Sequence, residues 1–335
     1  MRPKRRVPAV LVTVLVVVAL AELGVRAAGD AFPPPARWAN PFADVKVDQM
    51  QERGTATTVL VGSSIVNAGF DPATLVEEGV PGPVYNAALP GSGTEAWVVW
   101  YPEVVVPVLG PQRAVIGVSV RDWNASTFDP ADVERFREAE GFRRFTGQAG
   151  WLSQLDHAAS GVSELVRYRS ALRQPASVVA WNAGEPVDGW PRREIDDGGR
   201  YLGFDDVRYH RDPERLAERR DGSMADFRAG GPRQQAFETL LDGLANRGVR
   251  PTIVRLPAMT ADLVAADVVT REQVARFDTQ LRAVATARDL PLLDARSFDD
   301  RAELFADEYH LNEVGVQRLS RWTARGMAGV EERAG

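Results

Sequence analysis

The chain has 335 residues, 44% of them hydrophobic, a formal net charge of −6 and no cysteine. That composition supplies a large core and excludes disulfides, thiolate metal sites and cysteine nucleophiles together. It also argues against a nucleic-acid binder, whose affinity comes mainly from Lys and Arg meeting phosphates.

Arg2, Lys4, Arg5 and Arg6 precede an apolar run from Val7 to about Val25, interrupted only by Glu22. About 19 residues at 1.5 Å rise nearly cross a hydrocarbon core of about 30 Å. The basic flank predicts that the N-terminus stays cytoplasmic and the remainder lies outside. Residues 1–29 are therefore expected to be a basic tail and an uncleaved single-pass anchor. A cleaved signal peptide competes, but Arg26-Ala27-Ala28-Gly29 holds no clean Ala-x-Ala site. Residues 30–37, with Pro33-Pro34-Pro35, read as a stiff spacer.

A globular domain is expected over 38–330. Thr57 to Val61 is a β-branched apolar run stopping at Gly62, a buried strand ending in a turn. Ser63 to Asn67 then opens a helix, with serine suited to its N-cap, so the Ser64 hydroxyl sits where free N–H groups favour developing negative charge. Pro83 to Ala88 is a second strand, running into the turn Leu89-Pro90-Gly91 and a helical or irregular apolar segment from Glu95 to Leu109. Arg113 to Val120 is the third, ending in the polar cluster Arg121-Asp122-Trp123-Asn124.

From about 125 to 233 the alternation lapses into an insertion. Helices are expected over Pro130 to Phe145 and over Trp151 to Leu172, the second with apolar Trp151, Leu152, Leu155, Ala158 and Ala159. Residues 182–233 read as a lid or rim, whose Trp190, Tyr201, Phe204, Tyr209 and Phe227 are expected to pack a small core of their own, stacking on sugar rings being the competing reading. Alternation resumes with a helix over Gln235 to Asn246, a strand over Pro251 to Leu256, a helix over Thr270 to Arg288, a strand over Leu290 to Asp294 and a last helix from near Asn312 towards Met327. Five strands separated by helices predict an α/β fold with a parallel sheet covered on both faces. Ligands of such sheets bind at the strands' carboxyl ends. Ser64, Gly91, Arg121 to Asn124 and Asp307 to His310 all fall there.

The chain holds three histidines, and His310 has an acid three residues before it in Asp307-Glu308-Tyr309-His310-Leu311-Asn312. Serine, histidine and carboxylate form the constellation for acyl transfer, with Ser64 as candidate nucleophile, His310 as base and Asp307 as its orienting acid. Separately each has a duller account: a helix cap for the serine, a surface pair for Asp307 and His310, a simple turn for Gly91, and for Arg121 an ion pair with Asp122 or another acid. No metal cluster, dinucleotide glycine pattern or phosphate loop is visible, so no metal or cofactor is expected.

These blocks resemble the SGNH/GDSL hydrolase superfamily, whose fold is three-layer and flavodoxin-like. Gly62-Ser63-Ser64 resembles the first block with Ser63 replacing an Asp, a variant similar to membrane-anchored proteins of teichoic-acid D-alanylation and polysaccharide O-acetylation. Asn86 to Gly91 looks like the second block, and Asp307 to His310, continued by Leu311, Asn312 and Gly315, like the last. The third departs: its Gly-x-Asn-Asp falls on Ser119-Val120-Arg121-Asp122, without the oxyanion asparagine. The resemblance covers Val59 to about Asp122 and Val249 to about Thr323. It implies an oxyanion hole from the N–H groups of Ser64 and Gly91 with Arg121 or Asn124 as side-chain donor. It further implies a membrane-anchored, extracytoplasmic esterase or acyltransferase acting on an acylated glycan or lipid of the cell envelope, with a multi-pass membrane acyltransferase as a compatible partner. The alternative is a catalytically silent domain of this type that binds glycan or scaffolds an envelope assembly.

Overall fold

A computed structural model describes residues 9–33, 37–124, 131–185, 187, 195–228 and 230–334. The basic cluster at Arg2 to Arg6, Pro34 and Pro35 of the spacer and Trp190 of the insertion lie outside the described residues. The chain divides into two compact units, one comprising residues 42–138 and 193–335, the other residues 1–41 and 139–192.

The first unit is α/β. Its strands are β1 (Thr58–Val61), β2 (Val84–Asn86), β3 (Arg113–Val118), β4 (Arg250–Arg255) and β5 (Leu292–Asp294). All are parallel, in the order β2-β1-β3-β4-β5. This is the flavodoxin order, whose chain reverses direction across the sheet between β1 and β3. β1 is wholly buried, as a continuous apolar run demands in a sheet covered on both faces, while β5 at the edge is only half-buried. Pairing Val61 with Ile116 brings the residues after β1 and those after β3 to one rim. Helices Ser64–Gly69, Pro232–Ala245, Arg271–Ala287 and Glu313–Ala334 accompany the strands. Thr270 and Gln273 cap the third of these reciprocally.

Several helices of this unit have no counterpart in the sequence expectations, among them Pro72–Glu77, Pro213–Glu218, Thr260–Ala265 and the longest of the four, Pro41–Arg53. Pro41–Arg53 buries Ala43, Lys46, Val47 and Met50. A lysine at the centre of that stripe breaks the apolar period by which such a helix is recognised. The segment expected as helical or irregular from Glu95 is helix Thr94–Trp100, a π-helical stretch Tyr101–Val105 and a final turn Val106–Leu109.

The second unit contains the apolar helix Ala9–Ala27, 19 residues of mean hydropathy 2.3, long and apolar enough to cross a membrane. Where one helix was expected over 151–172, there are three: Trp151–Val162, Glu164–Arg167 and Arg169–Leu172. Ser163 leaves the helical region at φ −118°, ψ 120°, and its hydroxyl accepts from Val166 N. The first break is held by Glu22, whose carboxylate accepts from Ser163 Oγ at 2.8 Å, Glu164 N at 2.8 Å and Leu165 N at 3.1 Å. The helix expected over 130–145 is likewise two, Ala131–Glu138 and Glu140–Phe145. Trp38 packs edge-on to Phe142, and a Cβ on Gly141 would stand 2.5 Å from its indole nitrogen.

Candidate active site

β1 ends at Gly62, where the chain turns against the neighbouring strand. A Cβ there would meet Val66 Cγ2 at 2.3 Å and the Gly117 carbonyl at 3.0 Å, so only glycine lets the turn lie this close. The Gly62 amide donates to the Tyr101 hydroxyl at 2.9 Å. Ser63, extended at φ −87°, ψ −162°, precedes the six-residue helix that Ser64 begins. At that first position the Ser64 amide has no helical carbonyl to donate to. The Asn86 carboxamide fixes the helix from beneath, donating to the carbonyls of Val66 and Asn67 while accepting from Ala88 N.

His310 arrives from the other end of the chain on a tight loop, in which Phe305 bridges Leu311 and Ala306 N donates to the His310 carbonyl. Two residues after His310 explain the loop. Asn312 Nδ2 donates to the carbonyls of Glu303 and Phe305, and its Oδ1 accepts from Gly315 N. A Cβ on Gly315 would stand 2.1 Å from the Leu304 carbonyl. Asn312 and Gly315 therefore set the loop's shape rather than the chemistry.

The two ends meet. His310 Nε2 lies 2.9 Å from Ser64 Oγ, and His310 Nδ1 lies 2.8 Å from Asp307 Oδ2. The other Asp307 oxygen accepts from the amides of Tyr309 and His310, each at 2.8 Å. Burial raises the Asp307 carboxyl's pKa, but the attraction of the His310 ring and the hydrogen bonds from that ring and from the two amides outweigh it and hold the carboxyl below its usual range. An ionised Asp307 can only accept, so Nδ1 carries the ring proton and Nε2 is left to accept the Ser64 proton.

Part of the insertion reaches this site, which the sequence did not signal. Phe204 stacks on the His310 ring, centroids 4.2 Å apart and planes 11° from parallel, and Tyr201 meets Phe204 and Phe42 edge-on. These aromatics thus pack against the histidine loop and the helix 41–53, not into the separate small core expected of them. Arg215 grips the wholly buried Glu308 carboxylate through Nε and Nη2 at 2.7 to 3.0 Å. Arg219 lies 3.4 Å from Asp307 and 3.5 Å from Glu308. Alternating charge and scattered aromatics over 182–233 look like an ordinary polar rim, so nothing in the sequence marked out Arg215 and Arg219 or directed Phe204 to His310.

The expected oxyanion donors sit as follows. Gly91 adopts φ +71° in the turn after β2, and its amide donates to no acceptor among the described residues. Arg121 does not pair with Asp122, whose carboxylate accepts instead from Ser119 N and Oγ at 2.8 Å each. The Arg121 guanidinium lies 5.8 Å from the centre of the Tyr309 ring, and its buried Nε finds no acceptor among the described residues. Asn124 is tied to the insertion, its Oδ1 accepting from Asp226 N at 3.2 Å. Among the described residues no cluster of three or more His, Asp or Glu is placed to hold a metal. A cavity lined by Val249, Pro251, Leu290 and Met327 together with Arg113 and Arg250 opens at the start of β4, the opposite end of the strands from Ser64.

No family model matches the sequence, and neither does any curated protein. Among solved structures, the chain is similar to that of a Bacteroides fragilis NCTC 9343 protein provisionally described as an acylhydrolase, at 12% identity and a TM-score of 0.41, over 88% of this chain and 98% of that one.

Proposed function

We propose that the chain is a serine esterase or acyltransferase of SGNH type, anchored by its N-terminal helix with the α/β unit outside the membrane, acting on acyl esters of a cell-envelope glycan or lipid. The observation that carries the catalytic reading is the unbroken line Ser64 Oγ, His310 Nε2, His310 Nδ1, Asp307 Oδ2, built from residues 246 apart. Ser64 attacks the ester carbonyl carbon while His310 takes its proton; Asp307 holds the ring in the productive tautomer and stabilises the imidazolium. The oxyanion is received by the Ser64 and Gly91 amides and by Arg121, whose buried Nε has no acceptor among the described residues. His310 then returns the proton to the leaving alkoxide, and an acyl group remains on Ser64. Water, or a sugar hydroxyl deprotonated by the same ring, attacks that acyl-enzyme and restores free Ser64. Water makes the protein an esterase and a hydroxyl makes it a transferase.

The test is covalent labelling of the purified protein by a fluorophosphonate. Wild type labels, while Ser64→Ala and His310→Ala do not. Equal labelling of Ser64→Ala removes the catalytic reading and leaves the silent glycan-binding alternative. Since the triad acts as a unit, the double variant should be no slower on aryl esters than either single one.

A further inference from the structure

The helix Trp151–Val162 is amphipathic the wrong way round for a soluble surface. At roughly 100° per residue, Trp151, Leu155, Ala158 and Val162 fall within about 60° of one another. All four face outward, with Trp151 69%, Leu155 58% and Val162 78% exposed. Its opposite stripe is less exposed, with Ser160 buried and Ser153 and Asp156 half-buried; the Ser160 hydroxyl donates to the Asp156 carbonyl, and the Asp156 carboxylate pairs with Arg169 at 2.8 Å. A helix on an aqueous surface shows the reverse arrangement.

What covers the outward stripe follows from where the helix is fastened. It belongs to the same compact unit as the apolar helix Ala9–Ala27, and its C-terminal end is bound to that helix directly. Arg26 donates to the Val162 carbonyl at 3.1 Å, while Glu22 caps the helix that follows. Glu22 lies five residues before the end of the apolar helix, about 7 Å along its axis. A 19-residue helix is barely as long as the hydrocarbon is thick, so when it spans a bilayer its last turns, and the end of helix 151–162 fastened to them, lie next to the boundary between acyl chains and headgroups. Residues 139–192 of this unit carry six arginines against five acids, a net of +1 in a chain of −6, which does not oppose anionic headgroups.

We infer that helix 151–162 is a second membrane contact. It lies in the headgroup–acyl boundary of the bilayer that the N-terminal helix crosses, with Trp151, Leu155, Ala158 and Val162 immersed. This rests on the anchor reading above, and the experiment separates the two. Because the chain has no cysteine, a single introduced cysteine is a unique attachment site for a nitroxide. Leu155→Cys, Val14→Cys in the apolar helix and Thr279→Cys on the exposed face of helix 271–287 are each labelled in the full chain. Each is reconstituted in phosphatidylcholine–phosphatidylglycerol vesicles, and its collisions with oxygen and with a water-soluble nickel chelate are measured. The position-155 label should be reached by oxygen and be several-fold less accessible to nickel than the position-279 label. Nickel access at 155 equal to that at 279, with 14 shielded, overturns the inference and keeps the anchor. Nickel access at both 14 and 155 removes both. Shielding of 155 from oxygen and nickel alike overturns the lipid assignment, because the stripe is then covered by protein.

Discussion

Phe204 lies flat against the imidazole of His310, 4.2 Å from it and 11° from parallel. Both ring nitrogens are held in the ring plane, by Asp307 on one side and Ser64 on the other. Phe204 adds the constraint those bonds leave open, covering one face and opposing a tilt out of the line. A stacked aromatic pair contributes about 1 kcal/mol, so Phe204→Ala should lower kcat on an aryl acetate by roughly fivefold with KM little changed. Phe204→Tyr keeps the stack and should keep the rate. A Phe204→Ala enzyme at full rate would show that the ring is held without it.

Arg121 follows β3, and its buried Nε has no acceptor among the described residues. As third oxyanion donor its removal should lower kcat by about 10²–10³, with fluorophosphonate labelling slowed in parallel. Asn124→Ala, which cuts a bond to Asp226, should act mainly on stability. If Arg121→Ala leaves kcat intact and Asn124→Ala abolishes it, the two assignments are exchanged.

The elements that the sequence disclosed are those in which local pattern and final environment agree. β1 and β3 read as buried strands because every position in them after Arg113 and Thr58 is apolar or small, and the meeting of Ser64, Asp307 and His310 was legible because parallel strands deliver their carboxyl ends to one rim. The helix 41–53 was hidden because Lys46 occupies a core position. The break at Ser163 was hidden because its cap, Glu22, lies 141 residues away. Phe204, Arg215 and Arg219 were hidden for the same reason: they act through residues near 308, and nothing within the insertion repeats or alternates to reveal that contact.

Glu308 is wholly buried next to Asp307, and Arg215 supplies its closest ion pair. Removing one partner of such a pair leaves a buried charge uncompensated, which costs about 3–5 kcal/mol. Arg215 is partly exposed and Arg219 remains nearby, so Arg215→Ala should fall at the lower end of that range in chemical denaturation. Arg215→Ala with Glu308→Gln should recover much of the loss, since the charge that needed the arginine is gone. Additive losses in the double variant would mean that the two side chains are not coupled.

Lys46 lends itself to a pH test. Its ammonium position is fully buried, with Nζ donating to the carbonyls of Asn86 and Gly199 at 2.5 Å each. Those two acceptors match the two N–H bonds of a neutral amine and leave an ammonium's third without an acceptor oxygen among the described residues, the Tyr85 ring lying 5.6 Å from Nζ. Burial depresses the lysine well below its usual value, with Asp196 opposing weakly. The unfolded chain therefore holds a proton that the folded chain has released, between the depressed value and about 10.4. In that window folding stability rises with pH, by at most about 1.4 kcal/mol per unit for this one group. Denaturation midpoints measured from pH 7 to pH 10 should climb in wild type and climb less in Lys46→Met, whatever the variant's absolute stability. Parallel slopes would mean that Lys46 keeps its proton in the fold. Because Asn86 also holds the helix that begins at Ser64, loosening at Lys46 should in addition slow fluorophosphonate labelling of Ser64.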